Sequence, residues 1–356
     1  MHAELINLGL TPFFTGQLTA EEIERGRSAR IIEVQRSGVI ASDGVVDWAI
    51  VLGGMWYQLP AEQRPTVGDW VLLDEQHQKI ARLLERKSVF KRVAAGNTVD
   101  VQLIAANIDT LFIVTSCNDE FSESRLERYL ALALEAGVDP VIVLTKADLA
   151  EDAEVYRNRV LALNSDLPVE IVNGLDAGTL QGVSAWVISG STCALVGSSG
   201  VGKSTIVNSL SGAELMATAA IREQDAKGRH TTSHRALHKL PGGGLLLDVP
   251  GMRELKVAQL DASLAEVFSD IETLARQCKF VDCAHDEEPG CAVRQGITDG
   301  TVDERRLNNY RKLLREESRH TASLAERRHQ DRQLSKVIKQ HVELKRQHGT
   351  KHKGRK

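Results

Sequence analysis

The chain has 356 residues and is 42% hydrophobic and 26% charged, a composition that is typical of folded globular proteins and excludes wholesale disorder, collagen and coiled-coil rods. Its length predicts about two or three domains. No apolar run reaches the roughly 18 residues of a membrane helix, and the segment from Met1 to Leu10 lacks the pattern of a secretory signal, so we expect neither a membrane span nor secretion.

The net charge of −4 conceals a strongly basic end of the chain. Between Glu326 and Lys356 there are eleven Lys and Arg residues against three Asp and Glu, whereas the rest of the chain is acidic on balance. A basic segment on an acidic body favours a polyanionic partner such as RNA, but a solvated helix face has the same composition. Both interpretations stay open at this point.

The first part of the chain predicts an extension followed by a barrel. Residues 1–27 have the composition of a polar, partly helical N-terminal extension. Residues 28–95 contain short apolar runs, such as Trp70–Leu73, separated by turn signals such as Gly53 and Gly54. Several short strands at this spacing predict a small antiparallel β-barrel.

Residues 100–258 alternate between predicted strands and helices. Leu111–Val114 and Val141–Leu144 are apolar enough for buried strands, and the spacing between them predicts a helix over Ser124–Ala136. This alternation predicts an α/β domain with a mostly parallel sheet covered by helices. Residues 259–320 predict a small helical domain that includes a cysteine cluster, and residues 321–356 predict a basic helix or tail.

A phosphate-binding loop is predicted where an apolar strand runs into a glycine-rich segment. The pattern G-x-x-x-x-G-K-[ST] has the required strand before it and helix after it. It comprises Gly197, Ser198, Ser199, Gly200, Val201, Gly202, Lys203, Ser204 and Thr205. Glycines let backbone N–H groups surround phosphate oxygens, while the Lys reaches the β- and γ-phosphates and the Ser hydroxyl ligates Mg²⁺. The sequence therefore predicts a nucleoside triphosphate site.

A second motif indicates that the nucleotide contains guanine. The strand Val141–Leu144 ends in Thr145, Lys146, Ala147 and Asp148, the T-K-x-D form of the guanine-binding motif. The Asp carboxylate accepts hydrogen bonds from guanine that adenine cannot donate. In this chain the guanine motif precedes the phosphate loop, whereas small GTPases have the reverse order. The sequence therefore predicts a circularly permuted GTPase domain that binds GTP and GDP.

Downstream residues have the pattern of a magnesium site and its switches. Asp248 and Gly251 fit the D-x-x-G motif, in which the Asp holds Mg²⁺ through water and the Gly N–H contacts the γ-phosphate. The segment between this motif and the phosphate loop contains Thr231 and Thr232, one of which is expected to complete the Mg²⁺ coordination. The sequence does not distinguish between the two threonines.

The cysteine cluster has the spacing of a structural zinc site. Cys278, Cys283, His285 and Cys291 supply three thiolates and one imidazole within a short segment, which is a complete tetrahedral set. Five cysteines in the whole chain are too few for a disulfide framework, so we expect metal binding in a reducing, cytoplasmic compartment.

Together these features resemble one family, the ribosome small subunit-dependent GTPases of the RsgA/YjeQ type. The resemblance extends over about residues 28 to 320 and includes the motifs above and the barrel segment Val67–Trp70. It implies an oligonucleotide-binding (OB) fold for the barrel, which would bind RNA, then a permuted P-loop GTPase domain and a small α-helical zinc domain. It also implies GTP hydrolysis during late maturation of the small ribosomal subunit, stimulated by that 30S subunit.

The implied partners are the 30S subunit, its 16S rRNA and other assembly factors of that subunit, and we expect the protein to be monomeric. Met252 occupies the position where classical GTPases have a water-orienting Gln, so His230 is the family-matched candidate for catalysis. Two other functions stay open: a nucleotide-switched RNA-binding module with little catalysis, and a metabolic kinase or ATPase. Asp148 argues against the last of these.

Overall fold

Eleven of the thirteen described strands form one mixed sheet. The computed structural model describes residues 3–25, 28–35, 37–93, 101–174, 176–212, 235–248 and 261–321. The strands are β1 (Ser28–Val34), β2 (Gly38–Ser42), β3 (Asp47–Val51), β4 (Trp70–Leu73), β5 (Ile80–Leu83), β6 (Val89–Val93), β7 (Val101–Ala106), β8 (Thr110–Ser116), β9 (Asp139–Thr145), β10 (Val169–Ile171), β11 (Thr192–Val196), β12 (Arg235–Lys239) and β13 (Leu245–Asp248).

The described α-helices fall into an N-terminal, a central and a C-terminal group. They are Ala3–Asn7, Pro12–Thr15, Ala20–Arg25, Gly54–Gln58, Glu123–Ala136, Ala153–Leu161, Gln181–Ala185, Lys203–Ser211, Asp261–Val267, Ser269–Ala275, Ala292–Thr298 and Glu304–Thr321. None of these helices is both long and apolar enough to cross a bilayer.

The strand order confirms the predicted α/β fold. Neighbouring strands run in the order β10-β9-β8-β11-β13-β12, and all of these pairs are parallel except β13 with β12. Every residue of β8 is buried. Helices cover both faces of a parallel sheet, which is why the strands of such a sheet are continuous apolar runs in the sequence. The predicted helix over Ser124–Ala136 is observed as Glu123–Ala136, and Gly137 ends it with a φ of 70°.

Strands β1 to β5 form the predicted antiparallel, OB-like unit. Strand β1 pairs with both β2 and β4, and β4 pairs with β5. Strand β1 also pairs with β12, where Glu33 is opposite Ala236, so the barrel strands continue the parallel sheet of the nucleotide-binding region. This pairing could not be predicted from the sequence, because Glu33 and Ala236 are about 200 residues apart in the chain and no local pattern joins them.

A buried arginine joins the barrel to the N-terminal segment and to the parallel sheet. Arg30 donates to the carbonyl oxygens of Leu8, Gly68 and Asn107. Burial lowers the pKa of Arg30 to about 10, with Asp109 and Asp69 opposing the shift, so the guanidinium stays charged at neutral pH. At Gly68, where φ is 89°, a Cβ would lie 2.0 Å from the Ala106 carbonyl oxygen, so only glycine allows this close approach.

The N-terminal extension is helical as predicted, but it is a packed part of the core. Leu5, Leu8, Leu10 and Phe14 are all buried, and the Phe14 ring lies 5.8 Å from the Trp70 ring, centroid to centroid. Helices of four to six residues are too short to show an amphipathic period, which is why the sequence indicated only a polar segment.

The C-terminal helices contact the nucleotide-binding region through one buried carboxylate. Glu127 is fully buried and accepts hydrogen bonds from Arg305, Arg306 and Asn309, with Arg306 Nη1 at 2.9 Å. Arg306 also donates to Asp270 at 2.9 Å. The Glu127 cluster therefore ties helix Glu123–Ala136 to the C-terminal helices. The predicted domain limits, 1–27, 28–95, 100–258, 259–320 and 321–356, stay predictions.

We predict that Glu127→Ala lowers the free energy of unfolding by about 3–5 kcal/mol, because it removes the buried carboxylate that Arg305, Arg306 and Asn309 share. Glu154→Ala is the matched control, since Glu154 and its partner Arg157 are both solvent-exposed and 3.7 Å apart. That change should cost less than about 1 kcal/mol. Denaturant titration of both variants makes the comparison, and equal small losses would show that the buried cluster does not stabilise the fold.

Candidate functional site

The predicted phosphate loop joins β11 to the helix Lys203–Ser211 at the carboxyl edge of the sheet. Three of its glycines have positive φ angles, 145° at Gly197, 78° at Gly200 and 94° at Gly202. At Gly197 a Cβ would lie 2.2 Å from the Val114 carbonyl oxygen. The loop therefore follows a glycine-dependent path that ends at a helix N-terminus, the arrangement used by phosphate-binding loops.

Lys203 is buried at the start of this helix. Its Nζ donates to the Gly197 carbonyl oxygen at 2.8 Å and also to the Ser198 carbonyl oxygen. The ammonium group therefore lies within the loop whose backbone would surround the phosphates. Ser199, Gly200 and Val201 complete the loop, and Ser204 and Thr205 follow Lys203 in the first turn of the helix.

The guanine-motif residue Thr145 touches the phosphate loop directly. Its side chain is buried, and its Oγ1 lies 2.6 Å from the Val201 carbonyl oxygen, within hydrogen-bond distance. The Gly202 Cα also packs against Thr145, where an added Cβ would lie 3.7 Å from the side chain. The structure thus brings the two sequence motifs together, although about fifty residues separate them. Thr145 therefore keeps the guanine motif in contact with the phosphate loop.

The rest of the guanine motif forms an exposed turn after β9. Lys146 has a left-handed φ of 55° and precedes the short 3₁₀ turn Ala147–Leu149. Asp148 lies in this turn with its side chain exposed to solvent, open to a ligand.

A third loop contacts the helix that follows the phosphate loop. Asn173 and Gly174 come after β10, and Ser209 Oγ donates to the Gly174 carbonyl oxygen at 3.1 Å. A Cβ on Gly174 would lie 3.3 Å from the Thr205 methyl group. This loop, which reads Val-Asn-Gly, therefore lies against the helix that begins at Lys203.

Part of the predicted magnesium and switch set lies outside the described residues. These positions are His230, Thr231, Thr232 and Gly251. Asp248 is the last residue of β13, whose main chain pairs with β12 at Ala236. Because β13 is parallel to β11, Asp248 and the phosphate loop follow neighbouring strands at the same sheet edge.

The four predicted zinc ligands converge in the C-terminal region. The donor atoms of Cys278, Cys283, His285 and Cys291 all lie within 4.8 Å of one another. His285 Nδ1 is 3.6 Å from the Cys278 sulfur and 3.5 Å from the Cys291 sulfur, and these two sulfurs are 3.9 Å apart. A tetrahedral zinc ion with ordinary bond lengths requires about 3.6 Å between nitrogen and sulfur and about 3.8 Å between sulfurs. The donor set therefore fits zinc, and all the cysteines are free thiols.

Local hydrogen bonds hold the cluster in this form. Glu288 accepts from the backbone N–H groups of Ala284 and Asp286, and Arg294 donates to the His285 carbonyl oxygen. Burial lowers the pKa of His285 below its ordinary value, and Arg311 adds to this shift. The imidazole is therefore neutral at pH 7, which is the form that binds metal ions.

Comparison with known proteins identifies the family. The family model described as RsgA GTPase matches residues 83–258, and the model described as 50S ribosome-binding GTPase matches residues 192–343. The chain is 48% identical over 345 residues to "Small ribosomal subunit biogenesis GTPase RsgA 2" of Vibrio vulnificus, covering 96% of each protein. It is 46% identical over 326 residues to "Small ribosomal subunit biogenesis GTPase RsgA" of Mesorhizobium japonicum, covering 89% of this chain and 91% of that protein.

The chain belongs to the RsgA GTPase family. It is accordingly a GTP hydrolase, as the sequence predicted.

Two solved structures share the fold. YjeQ from Thermotoga maritima has a TM-score of 0.59 and 22% identity, and the match covers 82% of this chain and 98% of that chain. YloQ, titled a circularly permuted GTPase, has a TM-score of 0.55 and 23% identity, and the match covers 83% of this chain and 96% of that chain. The RsgA fold thus agrees with the permuted motif order.

We predict that Asp148→Asn weakens GTP binding by on the order of 100-fold, because an amide replaces the charged acceptor of the guanine N–H groups. The same change should strengthen binding of xanthosine triphosphate, whose base has an acceptor where guanine has an amino group. Titration of both nucleotides on both proteins measures the exchange. Unchanged GTP affinity would remove Asp148 from the base site.

We predict that Cys283→Ser lowers the zinc content to well under one ion per chain and unfolds the C-terminal helices, while the nucleotide-binding region stays folded. Cys117→Ser is the control, because Cys117 is a buried thiol at the end of β8 outside the cluster. Elemental analysis with limited proteolysis distinguishes the variants. Full zinc content in Cys283→Ser would contradict the assignment.

Proposed function

We propose that this protein binds the small (30S) ribosomal subunit and its 16S rRNA and hydrolyses GTP late in maturation of that subunit, with the subunit stimulating hydrolysis. The main support for this proposal is the sequence similarity, over nearly the full length of the chain, to relatives that are named for small ribosomal subunit biogenesis. The permuted motif order supports it, because guanine and phosphate loops meet at one sheet edge although their order is reversed.

The described residues support specific roles in nucleotide binding. Asp148 would accept hydrogen bonds from guanine, Lys146 would cover the base with its aliphatic stem, and Lys203 would contact the β- and γ-phosphates. The loop from Gly197 to Thr205 would surround the phosphates, and Thr145 would keep the guanine motif against it through the Val201 carbonyl. These roles are supported by the contact between Thr145 and the phosphate loop and by the solvent exposure of Asp148.

Magnesium fits the same edge. Ser204 follows Lys203 at the start of the helix, and Asp248 ends the neighbouring parallel strand, so the two residues lie at the same edge of the sheet. Mg²⁺ bound there would neutralise phosphate charge. Thr231 or Thr232, with Gly251, would complete this set in the triphosphate state.

We assign the orientation of the attacking water to His230. Met252 lacks the amide of the usual Gln, whereas an imidazole of near-neutral pKa accepts a hydrogen bond from water. His230 directly precedes Thr231 and Thr232, so binding of one of these threonines to Mg²⁺ would bring it toward the γ-phosphate. Docking on the 30S subunit would favour this arrangement and raise turnover, which is a gating effect.

Other parts of the chain would hold the protein on the subunit. The barrel exposes the apolar side chains of Val45, Val51, Met55 and Tyr57, and of these the aromatic ring of Tyr57 could stack on a base. The basic segment between 327 and 356 would contact phosphates and make binding salt-dependent. Zinc would hold the C-terminal helices together. In this proposal the protein is monomeric and cytoplasmic, and other assembly factors bind the same 30S subunit.

The test of this function is GTP turnover with and without purified 30S subunits. We predict slow turnover by the free protein and faster turnover with subunits. We further predict that His230→Ala lowers the stimulated kcat by roughly 10- to 1000-fold, the contribution of an orienting or acid–base group. Nucleotide affinity and subunit binding should hardly change.

Three outcomes are informative. Turnover that 30S subunits do not affect would contradict the proposed function. Full stimulated turnover by His230→Ala would reject the role of this residue alone. Loss of 30S binding by the variant would make His230 a docking residue.

A further inference from the structure

An arginine from outside the nucleotide motifs reaches the phosphate loop. Arg125 lies in the first turn of helix Glu123–Ala136, which follows β8, and its Nη1 donates to the Ser198 hydroxyl. Ser198 is the second residue of the phosphate loop. Strand β8 lies between β9, which precedes the guanine motif, and β11, which precedes the phosphate loop. Arg125 therefore follows the strand that separates these two.

Arg125 differs from the neighbouring arginines in its acidic partners. Arg128 lies 2.7 Å from Glu316, Arg159 lies 2.6 Å from Glu123, and Arg306 lies 2.9 Å from the buried Glu127. Within the described parts of the chain, the only carboxylate in ion-pair range of Arg125 is that of Glu120, and the nearest atoms are 3.7 Å apart.

Both side chains of this pair are more than a third exposed, so the pair is worth little. The charge of Arg125 is therefore only weakly compensated by the described residues. Such a guanidinium remains able to take up a stronger anionic partner.

Two cations converge on one residue of the loop. The Lys203 ammonium contacts the Ser198 carbonyl oxygen, while the Arg125 guanidinium contacts the hydroxyl of the same residue. Both groups are positively charged, so an anion bound next to Ser198 would be attracted by both of them. Since the loop has the backbone form of a phosphate site, the terminal phosphate of a nucleotide is the anion that matches this pair of cations.

The helix that carries Arg125 is fixed at its next residues. Glu127 receives hydrogen bonds from three residues of the C-terminal helix, and Arg128 pairs with Glu316 of the same helix. A side chain on an anchored element keeps its position better than one on a free loop. The contact of the Arg125 guanidinium with the phosphate loop is therefore made from a helix whose position is fixed by the C-terminal helix.

We propose that Arg125 is a further substrate-contacting residue, which donates N–H groups to the γ-phosphate oxygens of bound GTP and so strengthens the binding of GTP relative to GDP. The proposal rests on the nucleotide site of the proposed function. A guanidinium supplied in cis to the terminal phosphate also stabilises the charge that develops there during transfer.

The experiment compares the affinities for GTP and GDP and the single-turnover hydrolysis rate of the full-length protein and its variants. Arg125→Ala should weaken GTP binding about 10- to 100-fold, the effect of losing a charged hydrogen bond. Its GDP affinity should change by less than about threefold, because GDP lacks the contacted group. Arg125→Lys should recover part of the GTP preference, since it keeps the charge but not the planar fork.

Two further variants identify the cause. Arg157→Ala is the matched control, because Arg157 is similarly exposed and pairs only with Glu154 among the described residues; it should retain the parent values. Ser198→Ala removes only the hydroxyl that Arg125 holds. Whatever its effect on overall affinity, it should keep the ratio of GTP to GDP affinity within about twofold if Arg125 contacts the phosphate itself.

The outcomes separate this inference from the function on which it rests. Equal losses of GTP and GDP affinity in Arg125→Ala, reproduced by Ser198→Ala, would reduce Arg125 to a support of the loop and overturn the proposal. Parent-like behaviour of Arg125→Ala, in a protein whose GTP binding depends on Lys203, would also overturn it and leave the proposed function intact. If the parent protein binds no GTP, the proposed function fails and this inference fails with it.

Discussion

The parallel pairing of β8 with β9 and β11 is the constraint on which the rest of the site depends. Parallel neighbours all end at the same edge of a sheet, so the loops that follow them must meet there. The guanine motif follows β9 and the phosphate loop follows β11, and the Thr145 hydroxyl reaches across to the Val201 carbonyl at 2.6 Å. Strand neighbours, and not the order of segments along the chain, therefore assemble the site. This explains how a permuted sequence keeps a GTPase pocket.

One helix extends this edge to the C-terminal region. Helix Glu123–Ala136 begins directly after β8 and presents Arg125 to the phosphate loop. Two residues later Glu127 is buried among Arg305, Arg306 and Asn309. The zinc cluster lies in the same C-terminal unit, where Arg311 of the long helix pairs with Asp286 beside His285 at 2.8 Å. A continuous set of contacts thus connects the phosphate loop to the metal cluster.

Much of this arrangement could be predicted from the sequence, because it is encoded locally. Buried parallel strands are apolar runs, the phosphate loop needs glycines at fixed spacing, and the zinc ligands lie within one short segment. The contacts of Glu127 and Arg125 could not be predicted, since each joins residues distant in the sequence and has no spacing rule. The role of Thr145 was also missed: a four-residue motif indicates which base is bound, but not that one of its side chains faces the neighbouring loop.

The central claim is that the guanine motif and the phosphate loop form one nucleotide site. Calorimetric titration of the protein with GTP and with ATP, repeated on Lys203→Ala, tests it most directly. The account predicts one GTP bound per chain, ATP binding weaker by at least about 100-fold, and loss of tight GTP binding in the variant. Comparable affinity for ATP, or a Lys203→Ala protein that binds GTP as tightly as the parent, would contradict it.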